Sequence, residues 1–241
     1  MQLHTAVIGS QHCGLNLSFE EWFLRSVDTE GVMYLFFYEN TDAMVLGKSL
    51  ELGQEIHTHK KHPPVYRRIS GGGSVLHTQG NLNYALYLPL VAFPELMNVS
   101  LSYQRILGGV IARFPRGVSV QGYSDLNFLS RGKPRKFSGN AQCRKRGWIL
   151  HHGTLLYDKE AIRRVPWYLK PPPKEPAYRG GQKHRDFMTN ILPFYSRAAL
   201  IRAVRLGLAA AFHVELKTIP DPLKAARRVM NPPFQSERNH Q

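Results

Sequence analysis

The sequence predicts an α+β fold in which a mixed β-sheet is flanked by helices. Three observations carry this. Short apolar or alternating runs of strand length recur, as in Val32–Tyr38 (VMYLFFY) and Leu82–Leu90. Two longer stretches, Leu101–Phe114 and Ser196–His213, repeat apolar residues at helical spacing. Strands and helices follow one another without the strict βαβ alternation of a parallel sheet. With 241 residues and a hydrophobic share of 43%, the chain can fill one large core. The expected organisation is a single domain over 1–241, with 231–241 a disordered polar tail.

The elements follow in order. Leu15, Phe19, Trp22, Phe23 and Val27 recur at helical spacing, with Asn16 or Ser18 as the cap. Val32–Tyr38 is apolar throughout, the pattern of a buried central strand. Met44–Gly47 is a short strand ending at glycine. His57, His59 and His62 beside Lys60 and Lys61 have no acidic or thiol ligand close by, so they read as a basic surface loop rather than a metal site. Leu82, Tyr84, Leu86 and Leu88 alternate as a strand. Pro94 and Asn98 mark a loop, and Ser100 caps the amphipathic helix Leu101–Phe114. Gly117–Gly122 alternates again, and Ser124–Phe128 leads to a turn at Arg131-Gly132-Lys133-Pro134. Lys136-Phe137-Ser138 enters a strand, and Trp148–Leu156 is another. Three prolines make Lys170–Lys174 an extended loop, and Tyr178–Arg185 is a glycine-containing basic loop expected to be mobile. Ser196–His213 has a serine cap, alanines, leucines and outward arginines, the strongest helix in the chain.

Composition narrows the function classes. No apolar run reaches about 18 residues, so no membrane span is expected. The N-terminus lacks the basic and apolar regions of a signal peptide. Two cysteines, Cys13 and Cys143, make no disulfide framework and point to a reducing cytoplasm. The net charge of +15 predicts an acidic partner: nucleic acid, an anionic surface or an acidic protein. No RRM, KH or zinc-finger pattern accompanies that charge, so nucleic acid is the weaker choice.

The segment Arg67–Leu90 opens with two arginines and, after Ile69-Ser70, three glycines. Glycine lets the backbone approach a ligand closely, and successive N–H groups can cradle an anion. Arginine forks suit phosphate or carboxylate. By composition alone such a loop is equally a hairpin with solvated arginines, and it is neither a Walker A loop nor GxGxxG.

A second set of residues decides the matter. The pieces RRISGGGSVLH, GNLNYAL, SDLNF, RKFSGNAQ and HHGTLLYD run in order from Arg67 to Asp158. Together they resemble the lipoate–protein ligases, a family grouped with biotin ligases and octanoyltransferases. Weaker echoes lie at Val45-Leu46-Gly47 and Met188–Phe194. The resemblance implies the mixed sheet of class II aminoacyl-tRNA synthetases and biotin synthetases. It also implies a two-step reaction: lipoate and ATP give lipoyl-AMP and pyrophosphate, and a lysine of an acceptor domain then takes the lipoyl group. By motif position, Lys136 is the residue touching both nucleotide and lipoate. Arg68, Gly73, Ser74, Val75 and Leu76 are nucleotide-binding, and His152, Gly153 and Thr154 form a wall of the acyl pocket. Asp125 is a candidate Mg²⁺ ligand near the phosphates. Lys133 does not match the motif. Leu76, Leu82 and Leu155 are candidates for an acyl tunnel. The implied partners are acidic lipoyl domains of 2-oxoacid dehydrogenase complexes or the glycine cleavage H-protein.

Two departures carry alternatives. Cys143, among Arg144, Lys145 and Arg146, would have a lowered pKa and suit an octanoyl or lipoyl transferase working without ATP from acyl carrier protein or another lipoylated protein. About 50 residues follow Asn190, fewer than the accessory domain many ligases carry, so the accessory function is expected in a separate protein, or is dispensed with, or the chain performs only the transfer step. The basic cluster Arg131, Lys133, Arg135, Arg144, Lys145 and Arg146 is the expected docking surface for an acidic acceptor.

Overall fold

The computed structural model describes residues 1–58, 61–130, 132–173, 175–191 and 195–228. The expected tail over 231–241 lies outside the described residues, as do His59, Lys60 and Arg131. In chain order the strands are β1 Gln2–Val7, β2 Val32–Tyr38, β3 Ala43–Leu46, β4 Val65–Arg67, β5 Val75–His77, β6 Asn81–Pro89, β7 Val118–Gln121, β8 Asp125–Ser130, β9 Lys133–Lys145, β10 Trp148–Leu156 and β11 Glu215–Thr218. The helices are α1 Cys13–Ser26, α2 Leu52–Glu55, α3 Val99–Ile111, α4 Lys159–Tyr168, α5 His184–Phe187, α6 Arg197–Phe212 and α7 Pro222–Ala226.

A mixed sheet runs in the order β11-β1-β2-β6-β10-β9-β8-β7. β1 pairs in parallel with β11 and β2, and the remaining pairs are antiparallel. Side-chain alternation sorts the two faces. Met33, Leu35 and Phe37 of β2 join Leu82, Tyr84, Leu86 and Leu88 of β6 under α3 and α6. Phe36 and Tyr38 join Ala85 and Tyr87 on the opposite face, under Phe19 and Leu24 of α1. β2 therefore buries both faces, which explains its unbroken apolar sequence. A second, three-stranded sheet, β4-β3-β5, carries the glycine loop between β4 and β5. Val165 and Leu169, in and after α4, pack on its Met44, Leu46 and Leu76.

Several local expectations change. His12, not Asn16 or Ser18, caps α1 by accepting from the Leu15 N–H, while Asn16 is buried and donates to Ser10 O and Asn40. Asn98, not Ser100, caps α3; Ser100 Oγ bonds the Tyr123 hydroxyl instead. The Tyr178–Arg185 stretch overlaps the 3₁₀ turn Ala177–Arg179 and takes in the start of α5, with Arg179 buried against Phe187 and paired with Glu175.

The α3–α6 crossing rests on glycine. A Cβ on Gly207 would sit 2.2 Å from the Gly109 carbonyl oxygen, a backbone atom with no freedom to rotate away. Gly207→Ala should separate the helices and destabilise the protein by about 1–3 kcal/mol, seen as a fall in Tm. Gly108→Ala, where a Cβ meets nothing within 4 Å, is the control and should leave Tm unchanged or raised.

Candidate active site

A cavity of about 1010 Å³ opens between the glycine loop, the β8–β9–β10 edge and the chain around Pro172, Tyr178 and His184. Arg68, Gly73, Ser74, Val75, Leu76, Asp125, Lys136, His152, Gly153 and Thr154 all line it. The residues singled out as site candidates thus converge from two sheets onto one space. Lys133 is exposed and does not line it. Of the three tunnel candidates only Leu76 lines the cavity. Leu82 and Leu155 belong to the core under α3 and α6, because their strand positions point to the other face.

Lys136 is placed by an irregularity in β9. Ser138 pairs with Leu126 and Lys136 with Asn127, leaving Phe137 between them without a partner. A bulge of this kind re-aims side chains. Phe137 enters the core against Phe114, and Lys136 lines the cavity. Lys136 Nζ lies 2.8 Å from Asp125 Oδ1. It also passes over Gly139, where a Cβ would come within 3.1 Å of Nζ. The Tyr178 hydroxyl donates to Asp125 Oδ2. Burial and the Asp125 carboxylate push the Tyr178 phenol up, which keeps it a donor.

Both carboxylate oxygens of Asp125 are thus engaged, one by a cation and one by a phenol. Among the described residues no three His, Cys, Asp or Glu side chains gather around a point that could hold a metal. This donor set does not fit a protein-held Mg²⁺; Asp125 pairs with Lys136 and Tyr178 instead.

The glycine loop is shaped from beneath. Arg68 donates to the carbonyls of Gly71 (2.6 Å) and Gly73 (2.8 Å) and to Ser70 Oγ (3.0 Å). Arg67 donates to the carbonyls of Gly47 (3.1 Å) and Leu50 (2.5 Å). The two guanidinium forks therefore hold backbone rather than stand open. Burial draws Arg68 down to about 10, partly offset by Glu20 and Glu55, so it remains charged at neutral pH. Among the described residues no acceptor meets the backbone N–H of Gly71, Gly72 or Gly73. Carbonyls drawn to one side, with amides left over, make a concavity suited to an anion. Glu55 borders it, accepting from the Ser74 N–H at 2.5 Å.

His152 lines the cavity with one edge held in place: Nδ1 lies 2.7 Å from Glu20 and Nε2 lies 2.5 Å from Ser70 Oγ. Gly153 is glycine because Asn140 fills the space of its Cβ, 1.8 Å away. Asn140 in turn accepts from the Tyr84 hydroxyl and donates to Ser124 O.

Sequence reasoning missed Glu20, Glu55, Ser70, Asn140 and Tyr178. For Glu20 a signal was present: a carboxylate stands between Leu17 and Leu24 at the i+3 and i+7 positions of one buried helix face. The others belong to contacts between distant segments.

Cys143 does not line the cavity. It is half-buried against the cluster holding Phe19, Phe36 and Leu150, and burial raises its pKa despite Lys145 nearby. The expected lowered pKa is therefore corrected. Alternation along β9 sends Arg144 to the opposite face, where it donates to the carbonyls of Leu96 (2.8 Å) and Met97 (3.1 Å). Arg144 is thus a brace for the α3 entry rather than part of an exposed docking cluster. Lys145 and Arg146 remain exposed at the β9–β10 turn.

Residues 12–213 match the family described as lipoyl protein ligase A/B catalytic domain. The lipoate-protein ligase A of Bdellovibrio bacteriovorus is 31% identical over 180 residues, which cover 73% of this chain and 51% of that protein. The lipoate-protein ligase LplJ of Bacillus subtilis is 32% identical over 184 residues, 75% of this chain and 53% of that one. This chain therefore spans about half the length of the curated relatives it matches. The bi-partite lipoate protein ligase of Thermoplasma acidophilum, described together with its E2 lipoyl domain, superposes with TM-score 0.75 at 18% identity, over 94% of this chain and 90% of that one. A lipoate-protein ligase A bound with ATP superposes with TM-score 0.70 at 17% identity, over 94% and 92% of the two chains. At these identities the structural likeness is one of fold. Matched over most of its length and sharing that fold, the chain belongs to the lipoyl protein ligase A/B catalytic domain family.

Proposed function

We propose that this chain is an ATP-dependent lipoate–protein ligase. The observation that carries the reading is the meeting of Lys136, oriented by Asp125, with an amide-rich glycine loop across one cavity. In the first step a lipoate carboxylate oxygen attacks the α-phosphorus of ATP, and pyrophosphate leaves. Negative charge gathers on the α-phosphate, where a preorganised cation acts most strongly. Lys136 supplies that cation. The glycine amides hold phosphate oxygens, and Arg68 keeps their carbonyls turned away. In the second step an acceptor lysine amine attacks the acyl carbon, loses a proton, and AMP leaves. His152, Gly153 and Thr154 form the wall beside the acyl group. Mg²⁺ would arrive as the counter-ion of ATP, held by phosphates and water.

The acceptor is an acidic lipoyl domain, from a 2-oxoacid dehydrogenase complex or a glycine cleavage H-protein; the archaeal relative was described with its own E2 lipoyl domain. The net charge of +15 favours such a partner through faster encounter. A single domain working in the cytoplasm remains part of the proposal. Among the described residues no helix is long and apolar enough to cross a membrane.

Lipoate-dependent exchange of labelled pyrophosphate into ATP tests the first step, and its absence would rule the reading out. The rival route, an ATP-independent thioester transferase, needs a reactive Cys143. Burial of that thiol away from the cavity argues against it. Cys143→Ser should keep more than about half of the exchange and transfer activity, because adenylation uses no thiolate. An acylated Cys143 peptide, with loss of transfer in the variant, would favour the rival.

A further inference from the structure

A buried line of hydrogen bonds joins α1 to the glycine loop. The Tyr38 hydroxyl donates to Glu20 Oε1 at 2.7 Å, and His152 Nδ1 lies 2.7 Å from Glu20 Oε2. His152 Nε2 lies 2.5 Å from Ser70 Oγ, which accepts from Arg68 Nε at 3.0 Å. Arg68 then reaches the carbonyls of Gly71 and Gly73. Glu20 and Ser70 are 2% and 1% exposed, so water cannot replace a partner that is turned the wrong way.

Two charged ends set the direction of every proton in this line. A carboxylate only accepts, so His152 must carry its proton on Nδ1. A guanidinium only donates, so Ser70 Oγ accepts from Arg68 and must give its own proton elsewhere. Nε2 of His152 is the acceptor within reach. Ser70, His152 and Glu20 have the spacing of a nucleophilic triad, but Ser70 is buried, does not line the cavity and already accepts from Arg68. The arrangement therefore holds structure instead of activating a nucleophile.

We propose that Glu20 is a positioning residue that fixes the Nδ1–H tautomer of His152 and, through Ser70 and Arg68, holds the Gly71–Gly73 loop in the shape that receives phosphate. The identity of the phosphate ligand as ATP rests on the ligase reading; the proton order does not.

Nitrogen-15 NMR of histidine- and glycine-labelled protein tests this without substrate. Wild-type His152 should show the neutral Nδ1–H tautomer. Glu20→Leu should lose that preference and shift the Gly71–Gly73 amide resonances. Its ATP affinity, by calorimetry, should fall by about tenfold or more, the cost of leaving buried polar groups unpaired. Glu20→Gln should rescue: its amide oxygen accepts from His152, and its nitrogen turns to the Tyr38 oxygen. The tautomer should then persist and affinity stay within about threefold. A wild-type His152 protonated on Nε2 would overturn the proposal. So would a folded Glu20→Leu variant with unchanged tautomer and glycine amides. If Glu20→Leu does not fold, the wild type and Glu20→Gln decide by tautomer alone. Wild-type protein that shows the tautomer but binds no ATP would instead defeat the ligase reading.

Discussion

Lys136→Ala abolishes lipoate-dependent pyrophosphate release, whereas Lys133→Ala retains most of it. Both lysines lie on β9, three residues apart, in a basic stretch that composition cannot resolve. The structure separates them. Lys136 lines the cavity with its ammonium 2.8 Å from Asp125, while Lys133 is exposed at the far end of the β8–β9 pairing. Removing one preorganised group that meets developing charge typically costs about 10²–10³ in rate. The expected loss for Lys136→Ala is at least that large, because its replacement leaves the Asp125 carboxylate in the cavity without its cation. Pyrophosphate release measured for both variants checks this. A dead Lys133→Ala beside an active Lys136→Ala would move the reactive centre out of the cavity.

Gly47→Ala removes most of the nucleotide affinity while the protein stays folded. A Cβ on Gly47 would lie 1.9 Å from the Gly72 carbonyl oxygen and 3.0 Å from its carbon, so the glycine loop itself must move. That displacement breaks the arrangement in which Arg68 holds the Gly71 and Gly73 carbonyls. Gly72→Val acts from within the loop: its φ of +89° is strained for any side chain, and its Cβ would meet Arg68 Nη2 at 3.0 Å. Each variant should weaken ATP binding by about tenfold or more, equivalent to about 1.4 kcal/mol. Gly53→Ala, nearby with nothing within 4 Å, should bind as the wild type does. Calorimetry with circular dichroism as the folding check reads all three. Unchanged affinity in a folded Gly47→Ala protein would take the loop out of the nucleotide site.

The long elements were legible because their periodicity reports burial directly. Val32–Tyr38 and Trp148–Leu156 fall where the apolar pattern puts them, and Ser196 caps α6 as expected. α4 was not legible: Pro166 interrupts its pattern, and what holds it is packing of Val165 on the small sheet. The edge pairing of β1 with β11 joins segments more than 200 residues apart, which no local pattern records. The residues singled out converge on one cavity, but their mutual geometry was not legible. Neighbours in sequence suggested an activated Cys143, yet strand alternation sends Arg144 to the opposite face and leaves the thiol half-buried against apolar side chains. The carboxylates that organise the cations, Glu20 around Arg68 and Asp125 around Lys136, become visible only when distant strands and helices meet.

The most direct measurement is the intact mass of an apo lipoyl domain incubated with this protein, ATP and lipoate. The expected result is a gain of one lipoyl group on a single acceptor lysine, dependent on ATP, with one pyrophosphate released on activation and one AMP on transfer. No gain with ATP and lipoate, or a gain from octanoyl–acyl carrier protein in the absence of ATP, would contradict it.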